Sequence, residues 1–474
     1  MWMPTYEPEA AAALGRALRS VGYTTKAIEK LLGEDGPSAD LDDVPVLARR
    51  LPSSRLATII RLFLLELPVG EDAAAAALGS GGVDALAALG FASVAGGQLV
   101  PRARIVPTEG VYLSFDGFSR GADDPPGWVA SFTPTAYWLA SLTVRRAAQR
   151  GLDIGTGNGA HALLAARHTG HVIATDVNER ALAFTNISAG LNGIANVETR
   201  LGSLFDPVEG ETFDLITCNA PYVVSPESRW AYRDGGFDGD ELSRRVVTEA
   251  AAHLADGGFA SVLVSWLAAS EDDPDERIEA WLEGSGCDAW ILGLSGADPL
   301  EHAAGWNDHL TSDELADALE EWTGYLRELG ANWVSEGAVV LRRRAGTRNV
   351  VRADAVDEDE LEYAGEQLER VFDAFELLAE EGDGVIQQLT LRLAQDTRLV
   401  EEIDRDGDVI SATFRLEEGT WPELDVDAAV ADVLLALGDG RTVDEAVEQT
   451  GGAAPEGLRN AVLDLLELGF LEVA

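Results

Sequence analysis

The stretch Gly151-Leu-Asp-Ile-Gly-Thr-Gly-Asn-Gly159 decides the fold of this 474-residue chain. It begins as a short apolar strand, and glycines then follow at alternate positions, 155, 157 and 159. Glycine permits the tight turn and the close approach of a ligand to the backbone. A helical segment, 160–166, comes next. The pattern predicts a strand, a nucleoside-binding loop and a helix, and a strand-to-helix turn without a ligand is the alternative.

Strands and helices alternate around this loop, from about residue 109 to residue 344. Such alternation predicts an α/β fold with a doubly wound sheet. The predicted strands are 151–154, 171–176, 197–201, 214–218, 259–265, 289–294 and 338–342, and the predicted helices include 179–191 and 241–255. In such folds ligands bind at the carboxyl ends of the strands. Asp176 ends the second of these strands, where its carboxylate can accept hydrogen bonds from both ribose hydroxyls and can also cap the following helix.

A second signature, Asn219-Ala-Pro-Tyr222, follows the fourth predicted strand. The side-chain oxygen of Asn219 and the backbone carbonyl of Ala220 can each accept one hydrogen of a planar amino group. That grip directs the nitrogen lone pair, which is otherwise delocalised, toward an electrophile. Pro221 stiffens the turn, and Tyr222 offers an aromatic face. The tetrapeptide indicates chemistry at a planar nitrogen in which positioning governs the rate, and a turn without a chemical role is the alternative.

In this order, the two signatures resemble those of N-methyltransferases that depend on S-adenosylmethionine (SAM) and carry an Asn-Pro-Pro-Tyr motif. The HemK/PrmC-type glutamine methyltransferases, which act on peptide-chain release factors, are the most similar group. The resemblance covers roughly residues 110–344, including Tyr232-Arg-Asp-Gly-Gly-Phe-Asp-Gly239 and Leu254-Ala-Asp-Gly-Gly258. It implies a Rossmann-like sheet of seven strands, the last antiparallel. Ala220 replaces the first proline of the motif, and the two ends of the chain do not match these enzymes.

The resemblance also implies roles for individual residues. Asp153 would orient the glycine loop or meet the methionine amine, directly or through water, and Ser203 would contact the adenine. The acceptor nitrogen would be held by Asn219, Ala220, Pro221 and Tyr222. The residues implied to bind SAM are Asp153, Gly155, Thr156, Gly157, Gly159, Asp176, Ser203 and Asn219.

Three functions are open from the sequence. The first is methylation of a protein glutamine side chain, in a release factor or in another protein. The second is methylation of an exocyclic amine of adenine or guanine in RNA or DNA, because the same clamp serves both acceptors. The third is a SAM-binding protein that docks partners without catalysis. The net charge of −47 repels phosphate and favours a protein substrate over a nucleic acid.

The two ends of the chain predict separate domains, so that the divisions are 1–108, 109–344 and 345–474. The first part shows helical spacing and then a hairpin around Gly96-Gly97, an order that suits a winged-helix-like module for docking. The last part carries 33 Asp and Glu against 9 Arg. It ends in a helix, a turn and a helix, which also suits a winged-helix-like fold, and its charge disfavours DNA as a partner.

The cysteines, the potential metal ligands and the apolar runs exclude several classes of protein. Cys218 and Cys287 are the only cysteines, and both fall in apolar segments. Two cysteines exclude a disulfide framework and a cysteine zinc site, so we expect them to fill space on buried strands. The histidine, aspartate and glutamate spacing predicts no metal. No apolar run is long enough to cross a membrane and the N-terminus has no basic signal region, so we expect a cytoplasmic protein.

Three further segments are candidates near the site. His161 follows the glycine loop and is expected on a helix surface. His302 lies within 298–306, which either covers the substrate as a lid or packs as a loop. The segment Phe132-Thr-Pro-Thr135 precedes the first strand and either closes over the cofactor, as it does in relatives, or forms an ordinary loop.

Overall fold

The described part of the chain, in this computed structural model, comprises residues 2–34, 36–38, 40–119, 124–227, 236–272, 274–307, 310–344, 349–406, 409–420 and 422–474. Its centre is a mixed sheet of eight strands. Helices pack on both faces of that sheet, as the alternation in the sequence predicts. Smaller units formed by the two ends of the chain pack against these helices and against the sheet.

The N-terminal unit is helical, with a small sheet. Its elements are α1 (Pro8–Val21), α2 (Thr25–Leu32), α3 (Val44–Arg50), α4 (Arg55–Ile59), β1 (Val69–Gly70), α5 (Glu71–Leu89), β2 (Ala92–Ala95) and β3 (Gln98–Pro101). The predicted hairpin is confirmed, because β2 and β3 pair antiparallel across Gly96 and Gly97. Both glycines have positive φ, 59° and 77°, as a two-residue hairpin turn requires. The winged-helix shape stays a prediction.

The central unit begins with a hairpin, β4 (Arg104–Thr108) and β5 (Val111–Phe115), and continues into the large sheet. Its helices are α6 (Pro134–Ser141), α7 (Ala160–Ala165), α8 (Glu179–Asn192), α9 (Glu241–His253), α10 (Glu276–Leu282), α11 (Pro299–Trp306) and α12 (Ser312–Glu328). Its strands are β6 (Ala148–Ile154), β7 (Thr169–Asp176), β8 (Val197–Leu201), β9 (Phe213–Cys218), β10 (Leu254–Ala268), β11 (Cys287–Ala297), β12 (Trp333–Arg343) and β13 (Val351–Ala355).

The strand order is β13-β11-β12-β10-β9-β6-β7-β8. All seven predicted strands are present, and β12 runs antiparallel to β10 and β11 as expected. The count of seven was wrong, because β13 adds an eighth strand parallel to β11. This short strand covers an edge that would otherwise expose unpaired backbone groups. It has only five residues and is nowhere fully buried, so its sequence carries a weak strand signal even though apolar and polar residues alternate along it.

The C-terminal unit is α+β. Its elements are α13 (Gly365–Glu381), β14 (Leu391–Leu393), β15 (Thr397–Ile403), β16 (Val409–Leu416), β17 (Glu423–Val426), α14 (Ala428–Ala436), α15 (Val443–Thr450), α16 (Leu458–Glu467) and β18 (Leu471–Val473). Helix α13 lies on the central sheet, where the ring of Phe372 meets that of Phe259 edge to face at 5.5 Å. This unit therefore shares a core with the sheet, and its winged-helix shape stays a prediction.

The cysteines are confirmed as buried filler on strands. Cys218 ends β9 and Cys287 begins β11, and both are buried free thiols. Burial raises their pKa values, to about 12 for Cys218 and to about 11 for Cys287, so neither thiol ionises at neutral pH. Across the described ranges, no helix combines the length and apolar character that crossing a membrane requires.

The order of the strands fixes where a ligand binds. The chain passes from β6 outward to β7 and β8, and then returns to the other side of β6 at β9. The loops that follow β6 and β9 therefore diverge above neighbouring parallel strands, and such a divergence creates a crevice at the carboxyl edge of a doubly wound sheet. Both sequence signatures lie in these two loops.

Candidate active site

The glycine loop joins β6 to α7 in a conformation that needs glycine. Gly155 and Gly159 have φ values of 65° and 87°, in the left-handed region that side chains disfavour. A Cβ atom on Gly155 would lie 3.4 Å from Cα of Ala220, so this loop touches the tetrapeptide directly. A Cβ atom on Gly159 would lie 2.9 Å from Cγ2 of Thr185 on α8. The two glycines thus allow the loop to pack against the tetrapeptide and the helix.

Asp176, at the end of β7, ties the glycine loop to the neighbouring strand. Its carboxylate accepts hydrogen bonds from the backbone amide of Gly157 at 3.0 Å and from that of Asn178 at 2.8 Å. Burial raises the pKa of Asp176, and these two hydrogen bonds oppose the rise. The carboxylate also lines the cavity described below. This is the position from which it can accept hydrogen bonds from ribose hydroxyls.

Asp153 lies beneath the glycine loop, with 1% of its surface exposed. It accepts hydrogen bonds from the hydroxyl of Thr217 at 2.8 Å and from the backbone amide of Ala162 at 3.2 Å. Burial raises its pKa to about 6, and these hydrogen bonds oppose that rise. The carboxylate therefore connects the end of β6 with β9 and with α7. This geometry suits orientation of the loop better than direct contact with a ligand.

The tetrapeptide follows β9 directly. Ala220 is buried, and Asn219, Pro221 and Tyr222 are half-buried. Within the described ranges, neither the carboxamide of Asn219 nor the carbonyl of Ala220 takes part in a hydrogen bond. Both oxygens therefore remain able to accept hydrogens from a ligand. Burial raises the pKa of Tyr222, with the charge of Glu336 as a further cause, so its hydroxyl stays neutral.

One cavity of about 530 Å³ joins the two signatures. Its volume lies within the range usual for sites that bind cofactors, roughly 300–1,000 Å³. The residues predicted for the site that line it are Gly155, Thr156, Gly157, Asp176, Ser203, Asn219, Ala220, Pro221 and Tyr222. Asp153 and Gly159 do not line the cavity but lie behind the lining residues, where they shape the glycine loop. The cavity therefore brings the nucleoside-binding loop and the amino-group clamp into one space.

Several residues that line this cavity were given no individual role in the sequence analysis. They include Trp128, Asn158, Leu204, Phe237, Leu242 and Trp306. Asn158 lies inside the glycine signature, so the motif itself offered a signal. Its side chain donates to the carbonyl of Ala130 at 3.0 Å and accepts from the amide of Ala160 at 3.0 Å. Trp306 ends the 298–306 segment, for which the sequence left a lid and a packed loop open, whereas Trp128 comes from a segment that carried no signal.

The surface position expected for His161 was wrong. The side chain is 7% exposed and lines the cavity, and burial lowers its pKa to about 4. Helix α7 has six residues and packs against α6, β5, β6, β7 and α8, so its first turn has no solvent-facing side. Phe132 packs near the His161 ring, with centroids 6.3 Å apart. Thr133 and Thr135, from the same 132–135 segment, line the cavity.

His302 lies on helix α11 and not in a loop. Its Nε2 donates to the carbonyl of Val224 at 3.0 Å, two residues beyond the tetrapeptide. Its Nδ1 lies 3.6 Å from Oε1 of Glu336 on β12. Burial lowers the pKa of His302. Of the stretch 232–239 noted in the sequence, residues 232–235 lie outside the described residues. Over the ranges that the structure describes, no group of three or more potential ligands is placed to hold a metal.

Comparison with known families agrees with this geometry. Residues 146–265 match the family model described as a methyltransferase domain. Residues 20–103 match a model described as a domain of unknown function, DUF7059. The chain therefore carries a SAM-dependent methyltransferase domain, which includes the glycine loop, Asp176 and the tetrapeptide.

Two relatives are glutamine methyltransferases by name. The ribosomal protein uL3 glutamine methyltransferase of Bradyrhizobium diazoefficiens is 31% identical over 166 residues, covering 32% of this chain and 52% of that protein. The release factor glutamine methyltransferase of Cereibacter sphaeroides is 41% identical over 122 residues, covering 23% of this chain and 43% of that protein. The chain thus spans about half the length of these relatives. Among solved structures, Trm5b from Pyrococcus abyssi covers 53% of this chain and 62% of its own, with 17% identity and a TM-score of 0.32.

Proposed function

We propose that this chain transfers a methyl group from SAM to the side-chain amide of a protein glutamine. One observation carries the proposal: Asn219 and Ala220, whose side-chain and backbone oxygens have no hydrogen bond within the described ranges, line the same cavity as the glycine loop. Two acceptors next to a cofactor loop match the two hydrogens of a primary amide. The names of the relatives point to the same acceptor, and the acidic surface disfavours a nucleic acid.

The residues present fit SAM as the cofactor. Gly155 and Gly157 let a ligand approach the backbone closely, and the Asp176 carboxylate faces the cavity to receive the ribose hydroxyls. Ser203 also lines the cavity and is our candidate for contact with the adenine. When bound, SAM supplies a methyl group that is activated by a sulfonium. Every other step depends on how the chain places the acceptor nitrogen.

An amide nitrogen is a weak nucleophile because its lone pair is delocalised into the carbonyl. Asn219 and the Ala220 carbonyl hold the two amide hydrogens, which lets the nitrogen pyramidalise and directs its lone pair to the methyl carbon. Tyr222 packs against the flat group and keeps its hydroxyl neutral. The new N–C bond forms as the S–C bond breaks. The cationic nitrogen then loses a proton to water, so that no dedicated base is needed.

The first test is binding of SAM to the full chain by titration calorimetry. We expect one site, with a dissociation constant in the micromolar range usual for enzyme ligands, ~1–100 μM. Absence of heat at high micromolar SAM would refute the cofactor assignment. The buffer should lie well above the sequence pI of about 4.3, because a protein near its pI precipitates readily.

The second test identifies the acceptor. The full chain is incubated with methyl-tritiated SAM and a lysate of the source organism, and protein is then separated from nucleic acid. We expect tritium in the protein fraction, and N-methylglutamine after proteolytic digestion. Tritium in RNA or DNA would replace the proposal by base methylation. Retention of SAM without any transfer would assign the chain to the SAM-binding proteins that do not catalyse.

A further inference from the structure

Helix α11, which is inserted together with α12 between β11 and β12, contributes to the side of the cavity opposite the adenosine end. Asp176 and Ser203 lie at the ends of β7 and β8, on one side of β6. The tetrapeptide lies on the other side, after β9, and β10 and β12 follow it in the sheet. Trp306, the last residue of α11, lines the cavity. It therefore adjoins the acceptor end and not the nucleoside end.

Trp306 is held by a specific polar contact. Its indole Nε1 donates to Oε1 of Glu336 on β12 at 2.9 Å. The same carboxylate oxygen lies 3.6 Å from Nδ1 of His302, whose Nε2 donates to the carbonyl of Val224. Burial raises the pKa of Glu336, and the hydrogen bond from Trp306 opposes that rise. The indole is thus held by the partly buried Glu336, and the buried His302 lies beside that carboxylate while it binds the segment that continues the tetrapeptide.

Packing reinforces this connection. Ala303, Ala318 and Trp322 form a small core between α11 and α12, and Val223 and Trp306 pack against it. Val223 directly follows Tyr222, so one cluster contains Trp306 and the residue next to the tetrapeptide. Glu336 also raises the pKa of the Tyr222 hydroxyl, after burial as the larger cause. The direct contact of this carboxylate is with the indole of Trp306.

We propose that Trp306 is a second aromatic wall of the acceptor site, and that Glu336 and His302 position it. The inference rests on the proposed function, because it assigns the acceptor as a flat, uncharged amide. Tyr222 and Trp306 would confine such a group to one plane, which lowers the entropic cost of aligning its lone pair. A carboxylate side chain would offer no hydrogens to the oxygens of Asn219 and Ala220. The site would therefore select glutamine over glutamate.

The test uses the full chain labelled with 5-fluorotryptophan and saturated with S-adenosylhomocysteine. The Trp306 fluorine signal is identified by its loss in Trp306→Phe. Millimolar N-acetylglutamine methylamide should shift that signal, and should leave the signal of Trp281 on α10 unchanged, because Trp281 does not line the cavity. If the fluorine chemical shift of Trp306 does not change on addition of the amide, the proposal is overturned. This readout needs no turnover, so it shows whether Trp306 contacts the amide even if the protein methylates nothing.

Kinetics give a second readout if the labelling experiment finds a protein acceptor. Trp306→Ala should lower transfer by about tenfold or more, as loss of an aromatic anchor typically does, with SAM affinity within about threefold. Trp281→Ala is the control and should retain transfer. Equal loss of transfer and SAM affinity would place Trp306 at the cofactor end instead. A transfer rate in Trp306→Ala that stays near the wild-type rate would also overturn the proposal.

Glu336 is a positioning residue, so its test reads the indole itself. Glu336→Gln keeps an oxygen that can accept from Nε1 of Trp306, whereas Glu336→Leu does not. We expect the Trp306 fluorine signal and the KM for the protein acceptor to change more in Glu336→Leu than in Glu336→Gln. Equal changes in both variants, or a change in SAM affinity with none in the fluorine signal, would exclude positioning through the indole.

Discussion

The carboxylate of Asp176 accepts a hydrogen bond from the backbone amide of Gly157 at 3.0 Å. Asp176 ends β7, whereas Gly157 belongs to the loop after β6, so this contact joins two loops that the chain order separates. The same carboxylate accepts from Asn178, which begins the turn into α8. A single side chain thus shapes the floor of the nucleoside end of the cavity.

We predict that Asp176→Ala lowers SAM affinity by about 10- to 100-fold, the effect expected for losing hydrogen bonds to a charged group. Calorimetry with SAM measures it. Asp214→Ala is a matched control, because Asp214 also accepts from two backbone amides, those of Gln149 and Arg150, at 2.9 Å each. Asp214 lies at the far end of the strands, so its loss should lower stability and leave SAM affinity intact. Similar losses of affinity in both variants would argue against a direct role for Asp176.

We predict that Gly159→Ala destabilises the protein and weakens SAM binding. The added methyl would lie 2.9 Å from Cγ2 of Thr185, and the backbone has a φ of 87°. Gly193→Ala is the control, because Gly193 has a φ of 70° with nothing within 4 Å of a Cβ atom. Both variants bear the left-handed strain of about 1–2 kcal/mol, and only Gly159→Ala adds a clash. Thermal unfolding and calorimetry should distinguish the two variants. Equal melting temperatures would show that α8 moves enough to accommodate the added methyl group.

We predict that Asn219→Ala abolishes transfer while SAM still binds. Removing one preorganised donor or acceptor from a reacting group typically costs about 100- to 1,000-fold in rate. Tritium transfer and calorimetry measure the two effects separately. Asn186→Ala is a suitable control, because Asn186 bonds to Leu182 and Thr199 on the outer side of the sheet. If Asn219→Ala lost SAM affinity and transfer to the same degree, Asn219 would belong to the cofactor site alone.

We predict that Asp153→Asn changes how stability depends on pH. Burial raises the pKa of Asp153 from 3.8 to about 6 in the folded state. Between these values the folded protein binds a proton that the unfolded chain has released, so this group makes stability fall as pH rises. The shift corresponds to about 3 kcal/mol. Asparagine does not titrate, and can still accept from Ala162.

The difference in free energy of unfolding between Asp153→Asn and the wild type therefore isolates this group. It should shift in favour of the variant as the pH rises from about 5 to about 7. Urea unfolding at three pH values measures it, and other carboxylates cancel because both proteins share them. A difference that stays constant across this range would mean that Asp153 is ionised throughout.

Much of the fold was predictable because its signals are local. Strands β6, β7 and β9 are buried on both faces, so they appear as apolar runs, and Gly96-Gly97 and Gly159 mark turns that need positive φ. Strand β13 was missed because it is short and half-exposed, and its pairing with β11 comes from chain that the sequence assigns to another unit. His161 was misplaced because a helix surface is the default expectation, and only the packing of α7 from every side makes that position buried.

The sequence by itself determined the strands of the sheet other than β13, the glycine loop and the tetrapeptide, because each of these depends on residues within one turn or one strand of each other. Only the tertiary structure decided which residues surround them. Trp128 and Trp306 reach the cavity from opposite directions in the chain, and Glu336 meets Trp306 because β12 lies beside α11. Such contacts join segments whose separation in sequence leaves no period or spacing to detect, and only the packing of the folded chain brings them together.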